Sequence, residues 1–416
     1  MSFHYISYRL LLVLLSPLLL GHITWLSISN RQWRYFSQRL GFGCSGIDQG
    51  RLWFHCASVG EVNTLLPLLK NLHKENSKLR FLITTNTVTG ASIVARSVAQ
   101  QNMDYLSHCY LPFDWSFGVN RFLRKVKPCF LYVVETEIWP NLYTRCNSND
   151  IPIYIINARL SSKTTSANNF VKKLLRYSLM KTDAIYARTE HDAAAYRSIS
   201  GNDDMVVVSG NLKFTTALDV SDKPQQLIPQ DREYVLVAST HDDEELQIYK
   251  AWKHLERSEL LLIAPRHPER SAAIVKRLNC DKIAIRSKQQ PVKDDTEVFL
   301  LDTVGELKDY FADAKLVIMG GSFVSIGGHN ILEPASRHRA IITGPYMENF
   351  VEELNFMKRQ NAILQILSID ELAPLAQKLL DDDAYRKQYE TNTEKLSANV
   401  GRILDDYTAL ILSDHR

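Results

Sequence analysis

Residues 315–337 read KLVIMGGSFVSIGGHNILEPASR. Within them Leu316–Met319 is an apolar run of the length and character of a buried strand. Gly320 and Gly321 then release the backbone, and Gly327 and Gly328 release it again just before Asn330. Asn330 is a good helix cap and Glu333 stands three residues on, so a helix start is expected here. Strand, glycine turn and helix start together present backbone N–H groups and a positive dipole end to an anion. Two readings stand. Asn330 and Glu333 form a capping box and nothing more, or Glu333 faces a ribose while the glycines face a nucleotide phosphate.

The same grammar runs through most of the chain. Short apolar strands alternate with helical segments, which predicts an α/β fold with parallel sheets. Strands are expected at Leu52–Cys56, Phe81–Thr85, 129–134, 153–157, Ala184–Ala187 and 205–208. After a segment with two prolines and no clear period, 217–232, the alternation restarts at 234–238, 260–264, 298–301, Leu316–Met319 and 340–343. This gives two doubly wound domains, 31–216 and 233–416, joined by a linker at 217–232 and expected to face each other across a cleft. Residues 370–412 are helical in character, and the acidic run 381–383 reads as a solvated helix start.

The first thirty residues differ. Residues 10–20, LLLVLLSPLLL, are apolar throughout, and no A-x-A-like cleavage site follows. Instead Arg31, Arg34 and Arg39 alternate with Trp33, Tyr35 and Phe36, which suits a membrane interface. Residues 1–30 therefore read as an N-terminal membrane anchor. The basic excess behind it places the main body in the cytoplasm by the positive-inside rule.

Composition narrows the classes. Of 416 residues, 45% are hydrophobic and 23% charged, so folded cores are expected rather than disorder. A net charge of +3 gives no argument for a nucleic-acid partner. The six cysteines are scattered, without a CxxC pair, which reads as structural thiols in a reducing compartment. There is no GxGxxG after the first strand, no GxxxxGK[ST] and no zinc spacing, so no cofactor and no metal are expected.

Five polar clusters fall where strands are expected to end. SVGE places Glu61 on a glycine turn after Leu52–Cys56, either as a general base or as a first-turn carboxylate complementing a helix dipole. ETEIWPN offers Glu135 and Glu137, which point opposite ways if extended, so one faces the cleft and the other is structural. Trp139 reads as packing and Pro140 as a helix start. GNLKF brings Lys213 to meet a negative group, PRHPER brings Arg266 and His267, and DTVGE repeats the arrangement. A lone lysine or a proline-flanked turn is more often solvated surface. The coincidence of all five carries the argument. It points to a metal-independent, two-domain enzyme binding a phosphorylated substrate at a membrane face.

FHCASVGE, TTNTVTG, ETEIWPNL, NARLS, GNLKF, APRHPER, DTVGEL and GGSFVSIGGHNILEPA occur in the order seen in the 3-deoxy-D-manno-octulosonic acid (Kdo) transferases of lipopolysaccharide synthesis. The chain resembles that family over nearly its whole length, anchor included. The resemblance implies a GT-B fold and transfer of Kdo from CMP-Kdo to a lipid A precursor, with inversion and without an active-site metal. It implies Glu61 as catalytic base, and Glu135 with Lys213 as the transition-state-stabilising pair. It places Pro265, Arg266, Val304, Gly305, Glu306, Asn330, Ile331, Leu332 and Glu333 in the CMP site, with Gly320 and Gly321 as the phosphate loop. Val304 and Ile331 stand where other apolar residues are expected, which matters little if the backbone makes the contact. The rival readings are a different nucleotide-sugar glycosyltransferase or epimerase, and a membrane-anchored binding protein without turnover.

Overall fold

The computed structural model describes residues 3–44, 46–218, 228–229 and 231–413. It contains two compact units, one formed by Met1–Thr216 with Arg402–Arg416 and the other by Ala217–Gly401. Of the segment read as a linker, residues 219–227 and 230 lie outside the described residues.

The first unit is built on seven parallel strands: β1 (Leu52–Cys56), β2 (Phe81–Thr85), β3 (Leu106–Tyr110), β4 (Phe130–Val134), β5 (Ile153–Ala158), β6 (Ala184–Ala187) and β7 (Val206–Val208). Their order is β3-β2-β1-β4-β5-β6-β7. The second unit repeats the plan with β8 (Tyr234–Thr240), β9 (Leu260–Pro265), β10 (Ile283–Ile285), β11 (Val298–Leu300), β12 (Leu316–Met319), β13 (Ile341–Thr343) and β14 (Leu364–Gln365), all parallel, in the order β10-β11-β9-β8-β12-β13-β14. Strands such as LWFHC and LVIM are buried at every position because helices cover both faces. The chain winds one way from β1 and the other way from β4, so the switch point of the first sheet lies between those neighbours. In the second sheet it lies between β8 and β12. Ligands of such sheets bind outside the carboxyl ends of the strands at these points.

Sequence reading did not find β3, β10 and β14. All lie at or beside sheet edges: β3 leaves Ser107 and His108 half-buried, and the other two are three and two residues long. The expected helical run at 370–412 is two helices, Leu372–Asp381 and Asp383–Ser413, with the break at Asp382. The second domain was expected to keep the chain to residue 416, whereas Arg402–Arg416 group with the first unit. Tyr407 and Ile411 bury their side chains in the first unit's core, and that apolar burial decides the assignment.

The scattered cysteines include one close pair that the sequence did not reveal. Cys44, after the helix Trp33–Arg39, and Cys109 on β3 bring their sulfur atoms to disulfide-bonding distance although they stand 65 residues apart in sequence. Pairing of this kind follows from tertiary proximity and leaves no local motif to read.

The apolar N-terminus is one helix, Phe3–Ser29, long and apolar enough by length and composition to cross a membrane. Its two ends are tied to the first unit. The Tyr5 hydroxyl donates to Asn141 Oδ1 at 2.7 Å and the Tyr8 hydroxyl to Asp114 Oδ2 at 2.9 Å. At the other end Ile23 packs with Tyr35 and Tyr110. Between them Leu10, Val13, Leu14 and Leu18 are exposed.

Candidate active site

At the first sheet's switch point, SVGE begins the helix Val59–Glu75. Ser58 is its cap, accepting the Glu61 N–H, while its hydroxyl donates back to Glu61 Oε1 at 2.9 Å. The Ala57 N–H donates to Glu61 Oε2 at 2.7 Å. Glu61 is thus both a first-turn carboxylate and a fixed base with a half-buried head. Burial pushes its carboxyl up to about 7, with Glu135 and Glu137 adding to the rise and the Ala57 and Ser58 hydrogen bonds opposing it. Three carboxylates therefore share the carboxyl ends of the adjacent strands β1 and β4.

The two glutamates of ETE are sorted by their surroundings. Glu135 sits at φ +62, a left-handed conformation rare for a residue with a Cβ, and it turns the chain out of β4. The strict alternation expected of an extended segment therefore fails here. Glu135 Oε2 lies 3.5 Å from Arg159 Nε of NARLS, and its carbonyl accepts the Tyr196 hydroxyl. Glu137 is the structural member. Asn86 Nδ2 and Trp139 Nε1 donate to its Oε2 at 3.1 and 2.9 Å, and His55 Nε2 lies 3.6 Å away. Burial alone would raise the Glu137 carboxyl, but these partners win and hold it below the usual range. Trp139 packs on the core and Pro140 begins a helix, as read from the sequence.

Lys213 lies half-buried in the short 3-10 helix Leu212–Leu218. The segment is anchored from below: Asn157 Oδ1, at the end of β5, accepts the Leu212 N–H at 2.9 Å. The Tyr407 hydroxyl donates to the carbonyls of Gly210 and Tyr186, both at 3.3 Å. Gly210, at φ +87, leaves room for Ile403, whose Cδ1 lies 2.7 Å from where a Cβ would stand. Nothing in the sequence linked Tyr407 to GNLKF.

In the second unit the predicted residues gather at the carboxyl ends of β9, β11 and β12. Pro265 ends β9, and the exposed Arg266 is held by its N–H to the Thr240 carbonyl at 2.9 Å. After β11, Val304 is 88% exposed and Gly305 has open space where a Cβ would be, so that stretch of backbone is accessible. Glu306 is taken by a two-pronged pair with Arg286, at 2.8 and 3.2 Å. Loss of solvent around its carboxyl head raises Glu333, although the residue is exposed as a whole, and the Asn330 hydrogen bond and the charges of Arg266 and Lys308 oppose the rise.

Two expectations about the glycine stretch are corrected. The helix is only Leu332–Ser336 and its cap position is Ile331, with Ile331 and Leu332 buried. Had Asn330 been the cap, Pro334 would stand where the first intrahelical N–H is needed, and proline has none. Asn330 instead accepts the Leu332 N–H at 3.1 Å and donates to Glu333 Oε1 at 3.1 Å, so no capping box forms. Nor are Gly320 and Gly321 an open phosphate loop. The Gly320 N–H is used by the Ala238 carbonyl at 2.7 Å, and the buried Glu244 carboxylate accepts the N–H groups of Gly321, Phe323 and His241 at 2.7–2.8 Å. Gly320 serves close packing: a Cβ there would lie 2.7 Å from Thr240 Cα.

Unexpected at this switch point are His241, after β8, and His329 of GGHN. Their rings stack with centroids 5.0 Å apart and their Nε2 atoms meet at 2.8 Å, with His267 edge-on to His241. One of the two nitrogens must carry a proton and the other must lack it. Burial, then His241 and Arg266, hold His329 down to about 4. Among the described residues no group of three or more His, Cys, Asp and Glu is arranged to hold a metal ion.

Comparison with known proteins bears on the family and the fold. Residues 34–216 match the family described as 3-deoxy-D-manno-octulosonic-acid transferase (kdotransferase). The chain is 31% identical over 417 aligned residues to the 3-deoxy-D-manno-octulosonic acid transferase of Haemophilus influenzae, covering 96% of each. Among solved structures it is similar to the C-terminal CMP-Kdo binding domain of WaaA from Acinetobacter baumannii, at 31% identity, covering 40% of this chain and 89% of that one with a TM-score of 0.38. The UDP-GlcNAc 2-epimerase of Neisseria meningitidis, at 14% identity and TM-score 0.56 over 86% of this chain and 99% of that one, shares the GT-B-like pair of Rossmann-like units. With relatedness over the full length and the family's motifs at the strand ends, the chain belongs to the 3-deoxy-D-manno-octulosonic acid transferases and is a Kdo glycosyltransferase.

Proposed function

We propose that this Kdo transferase of lipopolysaccharide synthesis moves Kdo from CMP-Kdo to a sugar hydroxyl of a lipid A precursor, inverting the anomeric centre and using no metal or cofactor. The observation that carries the reading is Glu61. Its carboxylate is fixed by the Ala57 N–H and the Ser58 hydroxyl at the end of β1, beside the carboxylates that follow β4. Near neutral pH such a group is ionised often enough to accept a proton and basic enough to pull it.

In the proposed step Glu61 takes the hydroxyl proton as the acceptor oxygen bonds to the anomeric carbon of Kdo. The bond from that carbon to the phosphate oxygen breaks, and the electron pair leaves with CMP. A single displacement of this kind inverts the centre. Lys213 offers a positive charge to the Kdo carboxylate or the departing phosphate, and Glu135, paired with Arg159, stabilises the same transition state. In the second unit Pro265, Arg266, Val304, Gly305, Glu306, Asn330, Ile331, Leu332 and Glu333 bind CMP. There Arg266 meets the phosphate, Glu333 the ribose, and the accessible backbone around Gly305 the base or sugar. The helix Phe3–Ser29 holds the enzyme at the inner membrane, with both units on the cytoplasmic side, and no nucleic acid takes part.

The test is mass spectrometry of purified enzyme incubated with lipid A precursor and freshly generated CMP-Kdo in EDTA, with Glu61→Gln alongside. Kdo increments from wild type alone are expected. No increment from folded wild type, or full turnover by Glu61→Gln, overturns the reading.

A further inference from the structure

Away from the carboxylates, the helices Asn169–Leu179 and Glu190–Ser200 lie side by side in the first unit. Neighbouring helices usually bury an apolar seam between them. These two do not. The first presents Asn169, Lys172, Lys173 and Arg176, one face at helical spacing. The second answers with His191, Ala194, Ala195 and Ser198 at the same spacing. Small residues opposite long cations leave a cleft of about 440 Å³, and among the described residues no carboxylate lines it.

Two further observations concern how the cleft's charge is held and where the cleft lies. Gly201 caps the second helix at φ +69, and a Cβ there would lie 2.7 Å from Arg176 Nη2. The glycine lets the guanidinium lie against that helix's carboxyl end, where the dipole favours a cation. Second, these helices follow β5 and β6, so Asn169 and His191 lie toward the strand ends that also carry Glu61 and Glu135. A smaller hollow of about 270 Å³, lined by Thr136, Ile138, Lys163, Val171 and Leu175, runs from the residue after Glu135 to the apolar side of the same helix.

We propose that the cationic cleft between these helices binds a phosphate monoester of the glycolipid acceptor, positioning its sugar hydroxyl toward Glu61. The inference rests on the proposed Kdo transfer. A monoester near neutral pH carries close to two negative charges, which a guanidinium can meet in two-pronged fashion while lysines supply point charges. The other source of the same chemistry is the headgroup phosphate of a bilayer phospholipid, and the experiment separates the two.

Full-length wild type and a Lys172→Gln/Arg176→Gln variant in detergent are assayed with the phosphorylated acceptor and with the same acceptor after phosphatase treatment. Removing both cations predicts a rise of at least about tenfold in KM for the phosphorylated acceptor, the equivalent of a single charge-assisted contact. The kcat, the KM for CMP-Kdo and the KM for the dephosphorylated acceptor should hold. Gly201→Ala, which displaces Arg176 without removing it, should move KM the same way by less. An equal loss on both acceptors, or no change on either, overturns the proposal. So does a variant that loses flotation with phosphatidylglycerol vesicles while its acceptor KM stays put, which would assign the cleft to phospholipid. Binding of the phosphorylated acceptor without CMP-Kdo keeps the two readings apart. Wild type that binds it through the cleft but transfers nothing sinks Kdo transfer alone, and normal transfer by an unaffected variant sinks the cleft alone.

Discussion

Glu244 Oε2 accepts the N–H of Gly321 at 2.7 Å, so a buried side chain of the protein fills the place expected for a ligand's phosphate. The same carboxylate also holds the amides of His241 and Phe323 and so pins two loops at the switch point between β8 and β12. Glu244→Gln keeps one acceptor oxygen but turns an NH₂ group toward an amide donor. It is expected to lower stability by about 2–3 kcal/mol. Denaturant unfolding of the purified protein measures this, and an unchanged midpoint would show that the three amides do not depend on the charge.

Glu61 sets catalysis against stability. Its folded-state carboxyl is raised from 4.5 to about 7, so the folded protein binds that proton more tightly than the unfolded chain. The group's contribution is therefore most favourable below about pH 4.5 and is lost as pH rises to about 7. Glu61→Gln should leave the protein more stable than wild type above pH 7, by about 1–2 kcal/mol once screening is allowed for, while nearly abolishing turnover. For wild type, kcat/KM should climb as pH rises through about 7. A flat profile, or a variant less stable than wild type at pH 8, would contradict this account.

How far the site was legible follows from how local its causes are. SVGE announced Glu61 and its cap because a capping serine, a glycine and a carboxylate act within four residues. ETEIWPN announced one structural glutamate, but only the tertiary donor Asn86 and the imidazole of His55 3.6 Å away name it as Glu137. The Asn330 cap was misread because Pro334, four residues on, vetoes it by lacking an N–H. Glu244, Tyr407 and the pair Cys44–Cys109 act across 77, 197 and 65 residues respectively, and no periodicity reports contacts of that reach. The strands, by contrast, were legible wherever both faces are buried, and were missed only toward the edges.

The stacked imidazoles of His241 and His329 should report CMP. His329 is held from 6.5 down to about 4, by burial first and then by His241, Arg266 and His267, so it is neutral in the fold. Its contribution to stability is present above about pH 6.5 and is lost as pH falls toward 4. A bound phosphate opposes those neighbouring positive charges and raises the imidazole. CMP binding at pH 5.5 is thus expected to take up as much as about one proton, read by calorimetry in buffers of different ionisation enthalpy. His329→Gln should remove most of the uptake. Proton-neutral binding by wild type would place the phosphate elsewhere.

The helix Phe3–Ser29 is fastened at both ends to one body, which predicts that it lies along a bilayer rather than through it. Phe3→Cys and Ser29→Cys should then label from the same side of the membrane, and labelling from opposite sides would reject this. Tyr8→Phe deprives the buried Asp114 of a donor and should cost about 1–3 kcal/mol in unfolding experiments. Leu14→Arg, at an exposed position, should spare stability and weaken membrane retention.

Cys44 and Cys109 decide the side of the membrane. They are close enough to bond, and a bond between them would tie the loop after Trp33–Arg39 to β3. In the cytoplasm thiol reductants keep such pairs open, whereas an oxidising compartment closes them. If both units face the cytoplasm, rapid alkylation of intact cells should trap Cys44 and Cys109 as free thiols, and the disulfide should form only after lysis in air. Closing that bond stabilises by restricting the unfolded chain, by about 4 kcal/mol for a loop of this length, so oxidised protein should unfold at higher denaturant than reduced protein. Recovery of the closed pair from alkylated cells would move the catalytic units to the other side of the membrane.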